Sequence, residues 1–289
     1  MTEISFTIIC AVLSVFNAAL AEKPATLPPG VEEKGGSYFS KIDKAEMVYI
    51  PGGVFLMGEK GSSNNPLARV IVDGFFIDKY EVSNASYLRF VKATEHARPS
   101  FVQRRVSQDP WKDSRFNNPS HPVVGVSWED GAAYCKWAGK SLPTQAQWEK
   151  AARGLEGNKY PWGNSAAIEG NLFKANFSQM ARPGTQVPND GFKFTSPGGK
   201  FEKDTSVYGV KDLAGNVSEW CRDWFGPVSK NRNTTNPTGP ATGTGRILKG
   251  GNWQSITRFG DPLASGKTQY QKPTISAWNL GFRTVIPAR

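Results

Sequence analysis

Cysteine is nearly missing from this chain. Its 289 residues include three, and none follows Cys221. The C-terminal segment therefore cannot hold a soft metal such as Cu(I) through thiolates. No disulfide framework can staple the fold either. Cys10 lies in an apolar N-terminal stretch, so a domain beyond it has Cys135 and Cys221. The two could pair in an oxidising compartment, or Cys135 could stay buried and unpaired. The sequence alone does not bring their Cα atoms within bridging distance. Histidine is as scarce, with only His96 and His121. Two histidines exclude a three-histidine iron site, and a two-histidine-one-carboxylate site would need both. There is no GxSxG, P-loop, HExxH or strand–GxGxxG–helix pattern, which removes the usual signatures of hydrolases, nucleotide binding, zinc proteolysis and dinucleotide binding. Lys and Arg are scattered, with no run longer than Arg104-Arg105. The net charge of +10 thus reads as a basic soluble surface, and nucleic acid is not expected as a partner.

With 38% hydrophobic and 12% aromatic residues the chain can bury a sizeable core. Thirty Gly and 20 Pro, with only short periodic runs, predict a loop-rich domain. Residues 1–21 read as a signal peptide: 4–20 are mostly apolar, and Ala19-Leu20-Ala21 before Glu22 fits the small-x-small cleavage rule. The leading MTEIS carries no Lys or Arg, so an uncleaved anchor is the competing reading. Ser14, Asn17 and the short length favour cleavage. Ile9 before Cys10 does not suit a lipoprotein site. The expected location is periplasmic or secreted. No later apolar run could span a bilayer.

Residues 22–44, with Pro24, Pro28, Pro29, Gly30, Gly35 and Gly36, read as a flexible leader, and residues 45–289 as one domain. Strands are predicted at 47–50 and 69–77. Ser83 can cap a helix to about Ala93, with Tyr87, Phe90 and Val91 on one face. Ser127 with Asp130, and Thr144 with Gln147, are capping-box patterns. The first starts a helix ending near Gly139, with Ala132, Ala133 and Trp137 inward; the second starts one stopped by Gly154. Residues 155–245 lack sustained periodicity, and a stretch of that length needs pinning, for which metal ions are candidates. Residues 231–245 read as a mobile surface loop. Closing strands are expected at 247–248 and 282–286. The pattern is that of a mixed α+β domain with little regular structure.

Six motifs run along the chain: MVYIPGGVFLMG (47–58), HPVVGVSWEDGAAYCKWAGKSLPTQAQWEKAARG (121–154), YPWGN (160–164), VYGVKDLAGNVSEW (207–220), ILKGGNW (247–253) and NLGFR (279–283). In order and spacing they resemble the formylglycine-generating enzyme (sulfatase-modifying factor) family over about residues 45–288. The resemblance implies a C-type-lectin-like fold. It implies one or two structural Ca²⁺ ions, which take oxygen ligands. One set matches Asn216 and Glu219 by side chain with Gly215 and Val217 by carbonyl. The other matches Asn176 and Asp190 by side chain with Phe177 and Phe192 by carbonyl.

The family's copper-binding cysteines fall on Ser255 and Gly260, so no copper is expected there and no formylglycine-generating activity. Asn252 stands where the family commonly has Ser. The family partner of Cys135 for a disulfide falls on Thr284. By resemblance, Asn252, Ser255 and Arg258 are candidate catalytic residues, and Trp220, Trp253, Phe259 and Trp278 candidate walls of a substrate pocket. Arg283 and His121 read as structural. One type of exported relative without the cysteines takes part in maturing a peptide-borne siderophore chromophore, an oxidation. The expectation is therefore an exported oxidative maturation factor for a peptide or peptide-derived small molecule. The alternative is a non-catalytic binding or regulatory module of a periplasmic or membrane system, with a periplasmic protein as partner, since function follows the site and not the fold. A true sulfatase activator ranks last.

Overall fold

The computed structural model describes residues 23–103, 105–178, 190–226, 234–257 and 261–288. The expected signal peptide, residues 1–21, lies outside them.

Strands β1 (Val31–Lys34) and β2 (Ser37–Ser40) form a hairpin through Gly35-Gly36, both at positive φ. β3 (Glu46–Ile50) follows, then β4 (Gly53–Met57) and β5 (Ala68–Val72), which pair with each other, and β6 (Phe75–Asp78). Helix α1 (Asn84–Thr94) starts at Ser83, whose side chain accepts from Ser86 N–H. The β7 (Phe101–Gln103) and β8 (Val106–Gln108) hairpin comes next. Helices α2 (Trp128–Ala138) and α3 (Gln145–Arg153) both open with the capping boxes read from the sequence. The short pair β9 (Ile168–Glu169) and β10 (Leu172–Phe173) precedes β11 (Ser218–Trp224), β12 (Arg246–Lys249), β13 (Gln269–Gln271), β14 (Leu280–Gly281) and β15 (Val285–Pro287).

Two sheets organise the domain. One has the order β1-β2-β3-β6-β15 and is antiparallel throughout; the other has the order β13-β12-β11-β14, with β14 parallel to β11. Trp148 of α3, fully buried, lies in the largest core cluster with residues of β3 to β6, β11, β12 and β15. A second core holds Tyr87 and Phe90 of α1, Tyr134 and Cys135 of α2, Trp220 and Phe282. No helix among the described residues is long and apolar enough to cross a membrane.

Several expectations need correction. The flexible leader is structured from Val31 on: β1 and β2 extend the first sheet, and Val31 packs with Met47, Phe76 and Ile286. Its prolines and glycines mark turns around a hairpin. The single strand at 69–77 is two strands in two sheets, broken at Asp73-Gly74. A Cβ on Gly74 would lie 2.8 Å from the Tyr49 hydroxyl, so the chain must turn there without a side chain. The buried positions of α2 are Gly131, Tyr134, Cys135 and Ala138; Ala133 and Trp137 flank them, and Ala132 is half-buried. Tyr134, Cys135 and Ala138 share one core with Leu142 and Phe282, and this sets the face. The closing strand at 282–286 is split: Phe282, Arg283 and Thr284 lie between β14 and β15, and Arg283 turns inward.

Side chains pin much of the stretch with little periodicity. Asp204 accepts from Leu213 N–H (3.3 Å) and Ala214 N–H (3.0 Å), and Asp212 accepts from Gly199 N–H (2.6 Å). Arg283 donates to the carbonyls of Lys211 (2.9 Å) and Asp212 (2.7 Å).

Candidate functional site

The turn between β12 and the loop beyond it builds the site. Gly250 and Gly251 both have positive φ, at 85° and 70°. A Cβ on Gly251 would lie 2.9 Å from Ser255 Oγ, and one on Gly250 3.2 Å from the Trp148 ring, so both positions require glycine. The turn then ties itself: Asn252 N–H donates to Ser255 Oγ (2.9 Å), Gln254 N–H to Asn252 Oδ1 (2.9 Å), and Asn252 Nδ2 to Ser218 Oγ (2.9 Å). Ser255 is 8% exposed, and its hydroxyl serves as a turn acceptor.

Beside this turn is an open cleft of about 440 Å³, lined among others by Ser218, Asn252, Gln269, Gln271 and Asn279. Apart from Tyr270 no ionisable side chain lines it. The cleft can therefore hold hydrogen-bonding groups of a neutral ligand, but among the described residues it presents no carboxylate, imidazole, amine or thiol. Gln254 joins it to an aromatic wall: its Oε1 accepts from Trp278 Nε1 (3.1 Å) and Asn279 Nδ2 (3.0 Å). The rings of Trp253 and Trp278 are 5.6 Å apart, and both are half-buried.

Of the residues singled out in the sequence, Asn252 lines the cleft and Ser255, Trp253 and Trp278 surround it. Arg258 and Phe259, like Gly260, lie outside the described residues. Trp220 does not belong to the pocket: it is 0% exposed, its Nε1 donates to Val126 O (3.1 Å), and it is part of the second core. Cys135 and Cys221 are free and buried, each with its thiol pushed up by burial. At the family's disulfide position Thr284 donates to Asp78 Oδ2 (2.5 Å). The residues present thus do not fit Cu(I): one position carries an engaged hydroxyl and the other is glycine.

The two expected calcium sets differ in fit. Glu219 is fully engaged, accepting from Arg283 Nε (2.7 Å) and Nη2 (2.7 Å) and from Trp148 Nε1 (2.7 Å), with both partners buried. Its charge is paired with the Arg283 guanidinium, which makes it a poorer cation ligand in this arrangement. The carboxylate that meets Asn216 is instead Glu81, which accepts from Asn216 Nδ2 (2.6 Å) and Val217 N–H (3.2 Å). Burial, then the charges of Asp212 and Glu219, push the Glu81 carboxyl well above its ordinary range. Sequence reasoning missed Glu81; the signal was the acid between Tyr80 and the Ser83 cap, which no amphipathic pattern required. The second set fits better. Asn176 is 2% exposed, and its Oδ1 has no hydrogen-bond partner. Asp190 accepts from the N–H groups of Phe177 (2.9 Å) and Phe192 (2.9 Å), and burial raises its carboxyl. Oxygen donors with one carboxylate suit a hard cation. No group of three or more His, Cys, Asp or Glu among the described residues could hold a metal ion.

His121 Nδ1 lies 3.0 Å from Thr195 Oγ1, and burial lowers its pKa. His96 Nε2 lies 2.7 Å from Asp130 Oδ1 on α2. Each has a separate local partner.

Comparison with known proteins agrees with the motifs. The sulfatase-modifying factor enzyme 1-like domain matches residues 37–288. The formylglycine-generating enzyme of Bos taurus is 36% identical over 278 residues, covering 82% of this chain and 74% of that protein. A Mus musculus relative named inactive C-alpha-formylglycine-generating enzyme 2 is 31% identical, covering 84% and 86%. The solved structure of PvdO from Pseudomonas aeruginosa superposes with a TM-score of 0.68 at 24% identity, covering 92% of this chain and all of that one. Sheet-rich, short of helix and built on one C-type-lectin-like domain, the chain belongs to the formylglycine-generating enzyme (sulfatase-modifying factor) family.

Proposed function

We propose that this protein is an exported maturation factor that holds a peptide-type substrate in the cleft beside Asn252, by chemistry other than copper–thiolate oxidation. The observation that carries this reading is the persistence of the cleft without the thiolates. An uncharged cavity of about 440 Å³ with several amide side chains remains beside the Gly250-Gly251 turn, while Ser255 Oγ is bound by Asn252 N–H. Amide groups of Asn252, Gln269, Gln271 and Asn279 can pair with the N–H and C=O groups of a peptide backbone. Trp253 and Trp278 offer an aromatic wall to a side chain. Arg258 and Phe259 follow this turn in sequence and are proposed to complete the site. The oxygen set of Asn176, Asp190, Phe177 and Phe192 would hold one Ca²⁺, which supplies stiffness to the loops behind the cleft. A periplasmic or secreted location follows from the reading of residues 1–21.

One observation favours a second reading, a non-catalytic binding or regulatory module: apart from the Tyr270 phenol the cleft lining carries no ionisable side chain. The test is a deletion strain, with exported peptides compared by mass spectrometry. Loss of a product lacking two hydrogens relative to its precursor supports the maturation role. An unchanged profile, with the protein recovered in a stoichiometric complex, transfers the function to the binding reading.

A further inference from the structure

Beside the neutral cleft the surface changes character. The rings of Phe101, Phe116, Phe194, Trp253 and Trp278 form one connected cluster, with centroids 5.0 Å apart for Phe194 and Trp253, 6.1 Å for Phe101 and Trp278, and 5.2 Å for Phe116 and Phe194. Cations sit on it. The Arg115 guanidinium is 5.4 Å from the Phe116 centroid and 5.2 Å from that of Phe194, and the Lys193 ammonium is 5.8 Å from Phe194. Both residues are exposed. Further out, the β7–β8 hairpin leaves the cluster at Phe101 and carries Val102 and Val106, 71% and 58% exposed. They are the two most exposed large apolar side chains among the described residues. Val102 faces Ser107 and Val106 faces Gln103, so the valines lie on opposite faces. The hairpin therefore projects, with apolar surface on both sides. Exposed Arg105 lies at its turn with φ 66°, and exposed Lys112 follows.

The carboxylates around this ridge do not balance its cations. Asp113 accepts from Arg115 Nε (2.7 Å), and Asp109 Oδ2 lies 3.2 Å from Arg98 Nη2. Asp190 is turned onto the N–H groups of Phe177 and Phe192. Arg105, Lys112 and Lys193 have no ion-pair partner among the described residues. Such a rim raises the local concentration of an anionic ligand and selects against a cationic one.

We propose that this ridge makes the cleft selective for an acidic peptide. The uncharged part of the segment lies against the amides of the cleft, while its carboxylates meet Arg115, Lys193 and Arg105 and its apolar side chains cover the exposed valines. The occupant is fixed by charge complementarity: cations on an aromatic and aliphatic floor take carboxylates on a chain with apolar side chains between them. This inference rests on the cleft being a peptide site, and it holds whether that peptide is a substrate or a bound partner.

Fluorescence anisotropy with the full chain tests it. Three labelled twelve-residue peptides share one aromatic and aliphatic framework and differ at four positions, which are Glu, Gln or Lys. The Glu peptide should bind about 10-fold more tightly than the Gln peptide at about 50 mM salt, and the preference should collapse near 0.5 M. Arg115→Glu with Lys193→Glu should abolish the preference. Asn252→Ala should weaken the Glu and Gln peptides alike and keep the preference. Melting curves verify that each variant is folded; if the double reversal is not, Lys112→Glu with Arg105→Glu replaces it at this exposed edge. Equal binding of the Glu and Gln peptides, tighter binding of the Lys peptide, or a preference that survives charge reversal overturns the ridge while leaving the cleft a peptide site. No binding by any of the three overturns both.

Discussion

Replacing Arg283 by Met should collapse the centre of the domain. The guanidinium is fully buried and makes two bonds to Glu219, together with bonds to the carbonyls of Asp78, Lys79, Lys211 and Asp212. Glu81, Asp212 and Glu219 all act on its charge, and it is held charged by them despite burial. Methionine fills much of the volume but strands the Glu219 anion, a loss of about 3–5 kcal/mol for a buried pair broken on one side. At least two carbonyls lose a donor, at about 1 kcal/mol each. The sum, about 5–7 kcal/mol, rivals the whole stability of an ordinary domain, about 5–15 kcal/mol. At about 2–4 °C per kcal/mol, differential scanning fluorimetry should register a fall of about 10–25 °C, or no soluble protein. Arg283→Lys keeps a charge but cannot reach both Glu219 and the carbonyls, and should lose about half as much. Glu219→Gln combined with Arg283→Met removes the stranded anion and should recover part of the loss. A melting temperature for Arg283→Met within about 3 °C of the parent, or a double variant no better than the single, would refute the reasoning.

Three further outcomes follow from the same geometry. Burial raises Asp212 to about 6, above the unfolded value near 3.9, so its ionisation opposes folding: the penalty is absent at low pH and accumulates as pH rises from about 4 to 6. Asp212→Asn should therefore gain about 3 kcal/mol over the parent at pH 8 and almost nothing at pH 4, in denaturant titrations with chelator present; equal gains at both pH values would sink the assignment. Calcium at 100 times its dissociation constant should stabilise the parent by about 2.7 kcal/mol and leave Asp190→Ala unmoved; a chelator without effect on the parent melting temperature removes the Asn176–Asp190 site. With added copper the protein should leave a Cys-x-Pro-x-Arg peptide as the thiol, read by mass spectrometry, and Ser255→Cys alone should also cost about 1 kcal/mol because Asn252 N–H exchanges an oxygen acceptor for sulfur.

The helices were legible because their signals are local. Ser83, Ser127 and Thr144 each act within three residues, and the structure repeats those caps. Errors arose where distant chain decides. The break between β5 and β6 depends on Tyr49, far from Gly74 in sequence, and the face of α2 depends on the core it shares with Phe282. The hairpin at β1 and β2 looked like linker because its glycines signal turns in either context. At the site, the Gly250-Gly251-Asn252-Trp253 motif lies beside a cleft that Asn252 lines. Motif spacing could not show that Trp220 points into the core, or that Glu219 is claimed by Arg283, 64 residues further along the chain. A carboxylate reads the same in sequence whether it faces a metal or a guanidinium, and only the fold supplies its partner.

Cys135 and Cys221 belong to separate cores and sit behind packed side chains. In an oxidising medium that placement works as a clock. While the domain is closed, neither sulfur reaches an oxidant and burial keeps both protonated, which suppresses the thiolate needed for exchange. Each global opening exposes both together, so a chain that lingers open can be locked into a mispaired or intermolecular disulfide that a briefly opened chain escapes. The lifetime of this protein under oxidants is then counted in unfolding events, and thiol labelling becomes a direct meter of its opening rate.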